Sequence, residues 1–183
     1  MAHFAVSAIG RDRPGIVAAL TGALLEFEGN VEDSRMTILR GQFAVMLIVT
    51  LPGDDEAASA TARDELATRL DDVGEELGLV AIAVTPVGDA GERGPEPTHV
   101  ITVYGADHPG IVHAITAELA GRGVNVTDLQ TKLAGAGEAP IYVMLLEVEL
   151  GGADVAELTE ALESVAEGAA VEVSIGEIAS EAL

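Results

Sequence analysis

The sequence predicts an α+β protein made of two copies of one β-α-β-β-α-β unit. Two observations carry that reading. Gly10-Arg-Asp-Arg-Pro-Gly-Ile-Val17 is repeated as Gly105-Ala-Asp-His-Pro-Gly-Ile-Val112, an offset of 95 residues. The same offset aligns Ala19 with Ala114, Thr21 with Thr116, Leu24 with Leu119, Asn30-Val31 with Asn125-Val126 and Asp33 with Asp128. Spaced identities at a single register mark an internal duplication. The second observation is the Gly- and Pro-dense stretch Gly88–Pro97, nearly free of apolar residues, at the midpoint. It reads as an exposed linker between a domain over 1–87 and a second over 98–183.

Each element follows from local pattern. Phe4–Ile9 and Val100–Tyr104 are β-branched-rich runs that reach Gly, the signature of short strands. Ile16, Val17, Leu20, Leu24 and Phe27 then recur at helical spacing, as do Ile111, Val112, Ile115 and Leu119. Asp12 and Asp107 stand where a helix cap is expected, with Pro14 and Pro109 in the first turn. Gly29 and Gly123 stand near the helix ends, where a positive φ is often required. Two strands around a turn come next: about Asn30–Leu39 with Gln42–Leu51, and about Asn125–Leu133 with Ile141–Leu150. Val45-Met46-Leu47 matches Val143-Met144-Leu145 at an offset of 98, which places three extra residues in the second hairpin turn, Ala134–Pro140. A second helix is predicted on the stripes Leu66, Leu70, Val73, Leu77 and Val155, Leu158, Leu162, Val165. Val80–Val87 and Ala170–Ile178 close the copies as strands. This order is the ferredoxin-like split βαβ plan, an antiparallel sheet with both helices on one face. The open face and sheet edge of one copy need a cover, and the other copy is the expected one.

Composition narrows the function. The 183-residue chain has only 9 Lys and Arg against 31 Asp and Glu, a net charge of −22. Duplex binding neutralises phosphates with cations, so direct nucleic-acid contact is not expected. There is no cysteine, which removes disulfides, thiolate catalysis and thiolate metal sites. The N-terminus lacks the charged and apolar regions of a signal peptide, and no apolar run is long enough for a membrane helix. A cytoplasmic location is the expectation. His108 and His113 are five apart, off a shared helix face, and no His-Glu-x-x-His or acidic metal cluster is present. No serine has a partnered base. No cofactor, metal or catalytic residue is assigned, and the chain is not expected to be an enzyme.

The repeated Asp-x-Pro-Gly turn carries the chemistry. Gly15 and Gly110 permit close backbone approach to a ligand, and the first-turn amides of the following helix suit an anion such as a carboxylate. Asn30 and Asn125 offer a donor and an acceptor, and Asp33 and Asp128 a negative charge for an ammonium group. The end of strand one and the start of strand two are expected to lie close. Asp12 and Asp107 have two readings, helix cap and ligand contact.

Asp12-Arg-Pro-Gly-Ile16 and Asp107-His-Pro-Gly-Ile111, each leading to Asn-Val-x-Asp, resemble the ACT domain family over nearly the whole chain. With two copies and nothing else, the sequence is most similar to the glycine cleavage system transcriptional repressor-like group. The resemblance implies domains paired side by side, with small ligands, often amino acids, bound where they pair. It implies contacts from Asp12, Arg13, Pro14, Gly15 and Ile16 with Asn30 and Val31. In the second copy the counterparts are Asp107, His108, Pro109, Gly110 and Ile111 with Asn125 and Val126. Arg13 can pair bidentately with a carboxylate and His108 cannot, so the copies are expected to bind unequally. The expected function is a regulatory protein that binds a small molecule, an amino acid foremost, and signals through a regulated protein partner, with a homodimer as a further assembly. The alternative is a ligand-independent interaction module for a transcription factor or metabolic enzyme.

Overall fold

The computed structural model describes residues 2–53, 56–88, 94–135 and 141–178. Of the expected linker, residues 89–93 lie outside the described residues, and so do residues 136–140 of the second hairpin turn. The chain divides into two compact units, Met1–Glu92 and Arg93–Leu183.

The first unit runs β1 (Ala2–Arg11), α1 (Ile16–Glu26), β2 (Asn30–Leu39), β3 (Gln42–Leu51), α2 (Glu56–Leu77) and β4 (Leu79–Val87). The second runs β5 (His99–Ala106), α3 (Ile111–Gly121), β6 (Asn125–Ala134), β7 (Ile141–Glu149), α4 (Val155–Gly168) and β8 (Val171–Glu177). Each sheet is antiparallel, in the orders β2-β3-β1-β4 and β6-β7-β5-β8. This is the β-α-β-β-α-β plan read from the sequence, twice.

Alternation builds the cores. Phe4, Val6 and Ala8 of β1 share a face with Phe43, Val45, Leu47 and Val49 of β3, and that face is buried against Ile16, Leu20 and Leu24 of α1 and Leu66, Leu70 and Val73 of α2. The second unit repeats it with Ile101, Val103, Met144, Leu146, Ile115, Leu119, Leu158 and Leu162. The two core clusters share no residue. Three stripe residues leave the core, however. Val17, Val112 and Val155 are 41%, 38% and 41% exposed, because each sits in the first turn and looks outward.

Two register readings need correction. Val45 lies opposite Ala8 and is buried, whereas the residue opposite the equivalent Val103 is Met144. The third strands therefore align at an offset of 99, and the second hairpin is longer by four residues rather than three. The shared Val-Met-Leu tripeptide aligns at the wrong phase. Met46 faces away from the helices, 54% exposed, while Met144 is fully buried. A one-residue slip exchanges the faces of a strand, so burial decides the register and letter identity does not. After the first helices, the left-handed residue is Glu28 (φ 54°) in one unit and Gly123 (φ 73°) in the other, so the positive φ expected at Gly29 falls one residue earlier.

Gly10 and Gly105 let the last strand cross the end of the first. A Cβ on Gly105 would lie 3.0 Å from the Val171 Cα and 3.1 Å from the Ala170 carbonyl oxygen. These backbone atoms cannot swing away. Gly105→Ala is therefore expected to destabilise the second unit by about 1–3 kcal/mol, the usual cost of overpacking, read from the urea midpoint. An unchanged midpoint would mean that the β5–β8 crossing is looser than drawn.

Candidate functional site

The two β–α turns, Asp12–Gly15 and Asp107–Gly110, connect the central strand of each sheet to its first helix. Neither aspartate caps its helix. The N-cap positions are Gly15 (φ 98°, ψ −10°) and Gly110 (φ 101°, ψ −12°), with no side-chain hydrogen bond to the first turn. The Pro-Gly pair sets Asp12 and Asp107 three residues before the cap, too far back for the usual capping bond. Asp154 shows the contrast: its carboxylate accepts from the amides of Ala156 at 2.9 Å and Glu157 at 3.0 Å and caps α4.

The consequence is an open helix start in both units. The first helical bonds run from Ala19 N–H to Gly15 O and from Ala114 N–H to Gly110 O, each 2.9 Å. The amides before them, of Ile16 to Ala18 and of Ile111 to His113, lie ahead of that ladder and carry the positive end of the helix dipole. A Cβ built on Gly15 or Gly110 meets nothing within 4 Å, so the space before each helix is open. Such a seat suits a carboxylate or phosphate oxygen. Ile16 and Ile111 contribute only backbone here, since their side chains are 1% and 2% exposed and sit in the cores. Pro14 and Pro109 are exposed turn residues.

Arg13 and His108 occupy equivalent places, and each reaches a backbone carbonyl of its own unit. Arg13 Nη2 donates to the Glu76 carbonyl at 2.9 Å, in the last turn of α2. His108 Nδ1 lies 3.1 Å from the Pro109 carbonyl oxygen, and Nε2 makes a short contact with the carbonyl of Ala169, the C-cap of α4. Those carbonyls hold the imidazole above its usual range, Ala169 contributing most, then Pro109; Asp107 adds to the rise, while slight burial opposes it. The Asp12 amide donates to the Gly41 carbonyl at 2.9 Å, fixing the first turn to the β2–β3 hairpin.

Asn30 and Val31 lie elsewhere. Asn30 pairs with Thr50, which pairs with His3, whereas the turn leaves β1 after Arg11. Eight residues separate those levels, about 26 Å along an extended strand. Asn125 likewise pairs with Glu149, at the far end of β7 from the Ala106–Ile141 pair. The expectation that turn and strand-two start lie close fails within one unit, because α1 carries the chain back and β2, parallel to β1, begins at the opposite end of the sheet.

The strand-two motif has its own geometry, which sequence reasoning missed. The ladder slips between Val31 and Asp33, and again between Val126 and Asp128. The x of Asn-Val-x-Asp is thus the extra residue of a β-bulge. Without it, residues three apart face opposite ways. With it, Asn30 opposes Thr50 and Asp33 opposes Ile48, two positions of one face. The same holds for Asn125 with Glu149 and Asp128 with Glu147. The bulge residues are themselves engaged. Glu32 Oε2 lies 3.4 Å from His3 Nε2, and Thr127 Oγ1 donates to the Glu147 carbonyl at 3.1 Å. Asp33 accepts from the Ser34 amide at 2.7 Å, and Gln130 donates to Asp128 at 3.0 Å. The available signal was the motif itself: two polar residues three apart, repeated, in an otherwise alternating strand.

Comparison with known proteins agrees with the duplication. One ACT domain model matches residues 2–82 and a second ACT domain model matches residues 99–167. The glycine cleavage system transcriptional repressor of Escherichia coli K12 is 25% identical over 167 residues, 89% of this chain and 83% of that protein. A UPF0237 protein of Methanopyrus kandleri is 39% identical over 82 residues, 45% of this chain and 86% of its own length. Among solved structures, an unknown protein from Galdieria sulphuraria superposes with a TM-score of 0.75 at 30% identity, covering 97% of this chain and 98% of that one.

Proposed function

Because the chain belongs to the ACT domain family, with one domain in each half, we propose that it is a regulatory protein that senses an α-amino acid and signals through protein contact. The observation that carries this reading is the uncapped helix start, present twice, with open space before it. The amides take the carboxylate. The same-face pairs Asn30 with Asp33 and Asn125 with Asp128 supply the polar and anionic groups that an ammonium needs. Turn and pair stand at opposite ends of a sheet, so in this reading one ligand takes the turn of one copy of the chain and the strand start of a second copy. The edge strand β2 favours such a pairing: all ten of its residues are exposed, Met36, Ile38 and Leu39 by 50%, 48% and 66%. Side-by-side pairing in a homodimer belongs to this reading.

The output is read as protein contact. The similar E. coli protein is named as a transcriptional repressor, but a net charge of −22 repels a phosphate backbone. The link to transcription would then run through another protein. Catalysis has no place in this reading.

Calorimetry of the full chain against the twenty amino acids tests it. At least one is expected to give heat and a thermal shift, and the matching amine without its carboxylate is expected to give neither. No heat and no shift from any of the twenty would overturn the proposal. The exposed β2 edge equally favours a module that binds a protein partner without any ligand. Co-purification of a partner, unaltered by every amino acid, would select that reading.

A further inference from the structure

The side chains at the third position of the two turns do the same mechanical task with different chemistry. Arg13 ties its turn to the last turn of α2, and His108 ties its turn to the C-cap of α4. Helix C-termini present unpaired carbonyls and the negative end of the dipole, so a cation is the natural partner. Each tether fixes the turn immediately before the open helix start. We propose that Arg13 and His108 are positioning residues that hold the two turns in place, and that the hold is permanent in the first unit and proton-dependent in the second.

The proton dependence follows from donor count. His108 faces two carbonyl oxygens, Pro109 O from Nδ1 and Ala169 O from Nε2. A carbonyl only accepts. A neutral imidazole has one N–H and one bare nitrogen, so it can serve one of these carbonyls and turns a lone pair toward the other. Only the imidazolium satisfies both. Arg13 needs no such condition, because its guanidinium stays charged. Among the charged groups, Asp107 on the same turn acts on the ring and favours its protonated form. The α4–β8 turn meets it with backbone, and Glu167 and Glu172 flank that turn in sequence. Tyr142 on β7 stays neutral, its hydroxyl held above the usual range by burial first and by Asp107 second.

The direction of the effect is fixed. The folded-state value of His108 is raised above 6.5. The tether's contribution is therefore complete below about pH 6.5 and fades as pH rises through the raised value. That window lies in the range where histidine switches operate. The inference stands apart from the ligand reading, since it concerns the turn itself.

Amide hydrogen exchange and a 15N-resolved pH titration of the ligand-free chain test it. Protection factors, corrected for intrinsic exchange, are read at Ala114, which bonds to Gly110 O, and at Ala19, which bonds to Gly15 O. Ala114 is expected to lose protection several-fold between about pH 5.5 and about pH 8, the span of histidine titration, while Ala19 changes little. His108→Arg should remove the pH step and keep the protection. Equal behaviour of the two amides in the native chain, or a His108 that titrates at or below 6.5, would overturn the proposal. So would a pH step that survives in His108→Arg.

Discussion

Replacing Gly15 by Val is expected to destroy ligand binding at the first turn while the sheet and helices remain. At φ 98° a β-branched residue is a strong outlier. The space around the added Cβ is empty to 4 Å, so the penalty comes from the backbone and not from a clash. Strain of this kind costs about 1–3 kcal/mol, and the turn relieves it by rotating out of the left-handed region. That motion carries the amides of Ile16, Val17 and Ala18 away from their common target. Calorimetry should show affinity for the best amino acid at this site reduced at least about tenfold, equivalent to roughly 1.4 kcal/mol. Gly110→Val should do the same for the second turn. Gly22 supplies the control: it is exposed, lies inside α1, has no positive φ and has nothing within 4 Å of a Cβ. Gly22→Ala should leave binding alone and raise stability by about 0.5–1 kcal/mol. Unchanged affinity in both valine variants would place the ligand elsewhere.

Leu70→Ala is expected to be strongly destabilising in the first unit, with Leu119→Ala a comparable change in the second. Both side chains are fully buried, at 0% exposure. Truncation removes transfer energy and leaves a cavity, together about 2–5 kcal/mol. Against a typical stability of about 5–15 kcal/mol, that is enough to populate the unfolded form of the unit. Equilibrium urea denaturation, with circular dichroism as the probe, gives the measurement. Val17→Ala is the comparison, because Val17 belongs to the same hydrophobic spacing yet is 41% exposed. It should shift the midpoint by no more than about 0.5 kcal/mol. A large effect at Val17 with a small one at Leu70 would mean that the α1 and α2 faces are drawn the wrong way round.

That contrast also locates what was legible in the sequence. Period-two and period-3.6 patterns depend on which residues must leave water, so strands, helices and most core residues could be read directly. Val17, Val112 and Val155 could not be sorted from their neighbours, because periodicity gives a stripe and not its ends. The Val-Met-Leu match misled because identical letters were weighed and faces were not. Met46 and Met144 sit on opposite faces of their strands. The strand-to-helix turns were legible as turns from Asp-x-Pro-Gly. The roles of Asp12, Arg13 and His108 were not, since each depends on a partner far along the chain: Gly41, Glu76 and Ala169. The distance between Asn30 and the turn was hidden for the same reason. It depends on strand direction within a sheet, which local pattern does not encode.

The bulges in β2 and β6 also act as a ruler. A neighbouring strand can read an edge only where the N–H and C=O groups keep an unbroken rhythm. That rhythm begins after the bulge, so each edge offers one window of seven residues, Asp33–Leu39 and Asp128–Ala134. If two like edges join antiparallel, the contact is self-complementary and its twofold axis passes through the middle of the window, at Met36 or Thr131. In that phase a neighbour's Asn30 arrives level with the Arg40–Gly41 turn, whose Gly41 carbonyl already holds the Asp12 amide. A slide by a single residue would turn every pairing side chain to the other face. One inserted residue per strand thus sets which side Asn and Asp share and, for two copies joined in this way, where along the edge the second would stop.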